Sequence, residues 1–148
     1  MATSKKLPKN LADVEKILGI DFGKTRAWMK AAPADAISAL DAANSYNQYV
    51  WEKIIESINI ASAPAKKERW WPDWLNSSQW KYCPWAWLKK DESTPSGLGF
   101  ACTHYVSWNT STSVGSRLLV ENSENALYAI RTFPNEYLAM TLFAKEGL

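Results

Sequence analysis

The chain has 148 residues, the size of one domain, and its 47% hydrophobic and 22% charged content is that of a globular protein rather than a disordered one. Seventeen Lys and Arg against fifteen Asp and Glu give a formal charge of +2, too small by itself to imply a nucleic-acid or membrane partner. No apolar run approaches the roughly 20 residues that cross a bilayer, and the stretch after Met1 is charged where a secretory leader needs apolar residues, so a cytoplasmic protein is expected.

Residues 1–9 hold Lys5, Lys6, Lys9 and Pro8 with little apolar content and are expected to form a mobile arm ahead of a single domain over 10–148. Asn10 can cap a short helix whose apolar stripe is Leu11, Val14, Ile17 and Leu18, with Gly19 as its stop. After a turn at 21–24 and a short segment through Trp28, Pro33 is placed to open a long helix running to about Asn59. Its expected buried face is Ile37, Leu40, Ala43, Asn47, Val50, Trp51, Ile54, Ile55 and Ile58. The polar run 44–47 could divide that helix. Residues 61–68 are small, Pro-containing and charged, which predicts a surface loop and closes the helical part at about residue 60.

Residues 69–90 contain six of the nine Trp, and Pro72 and Pro84 argue against one regular element across them. From Leu98 to Trp108 apolar and small residues alternate, which predicts a strand; Val114–Val120 is expected to return antiparallel to it. Ser123 is placed to cap a last helix, with Leu127, Ile130 and Phe133 inward and Pro134 as a kink or restart. The predicted class is α+β: N-terminal helices, a Trp-rich loop segment, a small antiparallel hairpin and a C-terminal helix, with the motif-bearing region at 69–133.

The Trp-rich block carries two physical readings. Buried, the rings form the core of a loop-rich segment. Exposed, they form flat platforms for a protein partner, for bases or for sugars, and the six cations Lys66, Lys67, Arg69, Lys81, Lys89 and Lys90 outweigh Glu68 and Asp73 across 66–90. Core packing is the commoner fate of such a cluster. The candidate binding set is Trp70, Trp71, Trp74, Trp80, Lys81, Tyr82, Trp85, Trp87, Lys89, Lys90 and Arg117. Arg117 enters through Val114-Gly115-Ser116-Arg117-Leu118, where backbone N–H groups could meet an anion, although a hairpin bend with Arg117 paired to a carboxylate is the commoner reading of so short a motif.

Catalytic motifs are weaker. Gly19-Ile20-Asp21-Phe22-Gly23 looks like the first-strand aspartate of nucleases with an RNase H-like fold, but the residues before Asp21 have helical period and no later acidic cluster completes a two-metal site. Cys83, Cys102 and His104 are too few for a zinc centre. Cys102 and His104, on one strand face, stand about 7 Å apart, beyond hydrogen-bond reach, whereas Cys83 with His104 stays open. Reduced core thiols are expected, with no disulfide needed. No catalytic residue, metal or cofactor is assigned.

Trp71-Pro72-Asp73-Trp74-Leu75-Asn76, Gln79-Trp80-Lys81-Tyr82-Cys83-Pro84-Trp85, Gly97-Leu98-Gly99-Phe100 and Val114-Gly115-Ser116-Arg117-Leu118 follow one another in an order that resembles a family of uncharacterised proteins of gut Bacteroidota, their prophages and their phages. The resemblance extends over residues 49–133. It takes in the helical stretch Val50–Asn59 before the block, and Ala126, Tyr128, Ala129 and Phe133 after the hairpin. The chain departs from the family at Cys83, where a second aromatic is common, and at Leu119, where a cysteine is common. The resemblance implies a phage-linked origin, in the bacterial cytoplasm or the virion, and supplies no catalytic residues. The expected function is that of a non-enzymatic virion accessory component or an adaptor for a phage or host protein. Single-stranded nucleic-acid binding is the alternative, and a metal-dependent nuclease the last.

Overall fold

The computed structural model describes residues 6–63, 67–93, 98–108, 118–142, 144 and 146–148, with backbone alone at 98–104, 106 and 108. Among these the chain is α+β: α1 (Leu11–Leu18), α2 (Phe22–Lys30), α3 (Ala39–Ser62), β1 (Lys81–Lys90), β2 (Leu98–Trp108), α4 (Ser123–Thr132) and α5 (Pro134–Thr141).

The first two helices begin and end where short-range chemistry demands. Asn10 Oδ1 accepts from the Asp13 N–H at 2.9 Å and Gly19 closes α1 at φ 67°, a left-handed conformation that glycine adopts without a Cβ clash. Asp21 then caps α2 by accepting from the Lys24 N–H at 2.8 Å, while Glu15 reaches forward to the Phe22 N–H at 2.7 Å. The tempting Asp21 motif is therefore a helix corner, not the end of a strand. Its carboxylate is already engaged.

Pro33 opens only an isolated turn, since Ile37 N–H bonds back to its carbonyl, and the long helix starts six residues later behind the Ser38 cap. α3 runs unbroken through 44–47, because the polar groups there reach away from the helix. Asn44 Oδ1 accepts from the Ala144 N–H at 2.7 Å, and the Tyr46 hydroxyl donates to the Phe22 carbonyl. The helix also outruns its expected end near Asn59, reaching Ser62.

The core is built on the face of α3 carrying Val50, Trp51, Ile54, Ile55 and Ile58, against Ala126, Ala129 and Ile130 of α4 and Phe133 and Tyr137 at α5. Trp51 and Tyr137 meet edge to face at 5.1 Å. Asn122, one residue before the expected cap, begins α4 by accepting from the Asn125 N–H at 2.8 Å. Pro134 restarts the chain as the first residue of α5. Pro8, placed in the expected arm, is fully buried, and its carbonyl accepts from the Tyr128 hydroxyl of α4 at 3.0 Å.

β2 forms where alternation predicts it, and its partner among the described residues is β1. Residues 109–117, including Arg117 and most of the expected return strand, lie outside the described residues. The two strands pair antiparallel from Lys81 opposite Trp108 to Lys90 opposite Leu98, with an irregularity between Trp87 and Leu88. Val120 lies on the other side of β1, exchanging backbone bonds with Tyr82 at 2.9 and 3.2 Å. N–H direction alternates along a strand, so Pro84, two residues from Tyr82, turns its missing donor the same way, away from β2. That parity is why a ten-residue strand tolerates a proline. Tyr82, Ala86 and Tyr105 turn toward the helices, with Tyr82 and Tyr105 in edge contact at 5.5 Å.

Candidate binding surface of the tryptophan-rich segment

Residues 67–80 have no regular secondary structure, and polar side chains do the work of a ladder. Asp73 Oδ1 accepts from Leu75 N–H at 3.0 Å and Asn76 Oδ1 from Ser78 N–H at 2.9 Å, two Asx turns in succession. The Gln79 amide ties the ends together, donating to the Trp71 carbonyl at 3.3 Å and accepting from the Asp73 N–H. At the start of the segment, Trp70 N–H donates to the Asn59 carbonyl at 3.0 Å, fixing it to the last turns of α3.

Lys81 leaves the expected set of cations available to a ligand. It is fully buried, and its ammonium donates to the carbonyls of Gln79 at 2.8 Å and Asn76 at 3.2 Å, 5.5 Å from the centre of the Trp74 ring. A lysine inside a loop is tolerable because the carbonyls and the ring supply the negative potential that water otherwise would. The positive balance read from 66–90 is further reduced by Lys90, paired with Glu92 at 2.7 Å, and by Arg69, paired with Glu56 at 2.8 Å. Lys89 stays exposed.

The rings divide between the two readings. Trp70 is buried and Trp74, Tyr82 and Trp85 are partly buried, whereas Trp71 is 63% exposed, Trp80 50% and Trp87 58%. Core packing thus accounts for only part of the block. Trp87 and Trp85 pack edge to face at 4.6 Å along β1. Leu75, at the tip of the loop, is 89% exposed.

Arg69 organises the other end of the surface. Its guanidinium lies 3.7 Å from the Trp71 ring centre and is held by Glu56, which also pairs with Lys53 at 2.7 Å. Burial alone would raise the Glu56 carboxyl, but the Lys53 and Arg69 hydrogen bonds and charges hold it below its usual range. Neither the residue spacing nor any motif announced this network; its partners are 13 positions apart in the chain. Beside it opens a cleft of about 690 Å³ lined by Lys67, Glu68, Arg69, Trp70, Trp71, Gln79, Trp80, Tyr82, Glu121 and Asn122.

Cys83 is a free thiol, half-buried, and burial pushes its pKa up, which removes the thiolate character a nucleophile needs. In register Cys83 lies opposite Val106 and Cys102 opposite Trp87, four residues along the strand, a backbone separation of about 13 Å that no disulfide bridges. The side chains of Cys102 and His104 are outside the described residues. Among the described residues no group of three or more His, Cys, Asp or Glu could hold a metal ion, and no helix is long and apolar enough to cross a membrane.

No protein-family model, curated protein or solved structure matches this chain.

Proposed function

We propose that this chain is a small non-enzymatic binding protein of phage or prophage type, a virion accessory component or an adaptor, working in the bacterial cytoplasm or on the particle. The observation that carries the reading is Trp87, a large ring left 58% exposed on a paired strand and supported edge-on by Trp85. Large aromatic rings are among the commonest anchors of protein-binding hot spots, and polar side chains such as the exposed Lys89 belong to the rim around them. The phage assignment draws its support from the order of the sequence motifs.

The test compares the wild-type protein with Trp87→Ala as bait in lysate from phage-infected cells and on purified particles. A partner retained by the first and lost by the second, with unchanged thermal unfolding, supports an interface at β1. A partner retained equally by both overturns it. Quenching of tryptophan fluorescence by single-stranded DNA that saturates at low salt and collapses at high salt would replace the protein partner with nucleic acid, since phosphate contacts release counterions.

A further inference from the structure

The cleft beside Arg69 has features that the protein-partner reading does not use. Two indoles, Trp71 and Trp80, face it with half or more of their surface open. One of them is braced by the Arg69 guanidinium at 3.7 Å, itself fixed by Glu56. The segment carrying both is locked by the Gln79 amide, so the rings are presented on a frame that needs little ordering when a ligand arrives. The volume, about 690 Å³, lies within the roughly 300–1,000 Å³ of small-ligand sites.

The chemistry of the walls narrows the ligand. Lys67 and Arg69 are offset by Glu68 and Glu121 at the cleft itself, and Arg69 is already neutralised by Glu56. A polyphosphate backbone needs a surplus of positive charge that this site lacks. An apolar peptide or lipid tail needs walls that are mostly hydrocarbon, whereas here rings alternate with Lys, Glu, Arg, Gln and Asn side chains. Flat rings combined with planar hydrogen-bonding groups suit a molecule with an apolar face and a polar rim. A pyranose is such a molecule, with C–H bonds on its face to stack on an indole and hydroxyls around its edge for carboxylates, amides and guanidinium.

We infer that the cleft of Trp71, Trp80 and Arg69 binds a neutral oligosaccharide, a ligand separate from the protein partner placed at Trp87.

The inference is tested by calorimetric and fluorescence titration of the full chain with cellohexaose, maltohexaose and chitohexaose, at low and at high salt. Saturable binding of at least one of them is expected, with an affinity that salt leaves unchanged. Trp71→Ala and Trp80→Ala should each weaken it roughly tenfold or more, the scale of one lost ring-stacking contact, while Trp28→Ala, a still more exposed ring on α2, should not. Thermal unfolding of each variant establishes that the fold is retained. Failure of all three hexasaccharides to bind overturns the inference. So does binding that survives both substitutions, or salt-sensitive binding of oligo(dT) lost in the same two variants. Absence of saccharide binding, or binding that survives both substitutions, leaves the Trp87 interface untouched; oligo(dT) binding would count against both readings, and the Trp87→Ala comparison then reads the protein interface on its own.

Discussion

Asn59, three residues from the end of α3, donates through Nδ2 to the carbonyl of Leu119 at 2.8 Å, while its own backbone carbonyl accepts from Trp70. One residue thus joins the long helix to the Trp-rich loop and to the segment that bridges β1. Asn59→Ala leaves the Leu119 carbonyl buried without this donor. A loss of about 1–3 kcal/mol is expected in urea unfolding, with an unchanged m-value.

Lys81 separates two contributions that a buried lysine makes. Lys81→Ala removes both the ammonium that satisfies the Asn76 and Gln79 carbonyls and the stem that fills the space beside Trp74. Lys81→Met keeps most of the stem. The alanine variant should lose about 2–4 kcal/mol and the methionine variant clearly less, measured by the same unfolding assay. Equal losses would place the whole effect in the hydrogen bonds.

Glu56 predicts a specific response to acid. Because its folded pKa lies below the ordinary 4.5, its stabilising contribution is complete above about that pH and is lost as pH falls through the lower folded value. The melting-temperature gap between wild type and Glu56→Gln should therefore hold above about pH 4.5 and narrow as the pH falls below it. A gap that stays constant would mean that the Lys53–Glu56–Arg69 network holds through shape and not charge.

Two tryptophans should behave as opposites. Trp51 is buried against Tyr137, and Trp51→Ala is expected to cost about 3–5 kcal/mol. Trp87→Ala removes an exposed ring with one aromatic contact and should cost less than about 1 kcal/mol. Thermal melts of the two variants measure the contrast.

α1 and the body of α3 are written locally, and so they could be read. Asn10, Gly19 and the three- and four-residue spacing of the Ile and Val side chains each act within a turn or two of where they stand. β1 was hidden for a physical reason: Lys81 and Trp85 alternate with Tyr82, Pro84 and Ala86, so both faces carry residues that are wholly or partly buried, and no polar face reveals the period. Within the Trp block, nothing local distinguishes buried Trp70 from exposed Trp71. The difference arises from Asn59, Glu56 and Gln79, which approach from elsewhere in the chain.

The bond from the Tyr128 hydroxyl to the Pro8 carbonyl closes a loop of 120 residues. A chain emerging from the ribosome has its first helices in hand long before α4 exists, yet the segment leading into them cannot settle until Tyr128 arrives. Folding should accordingly be late and concerted, the slow regime of non-local topology, rather than a progressive growth from the N-terminus. A nascent chain halted before Tyr128 would expose the hydrocarbon of α3 to any chaperone within reach.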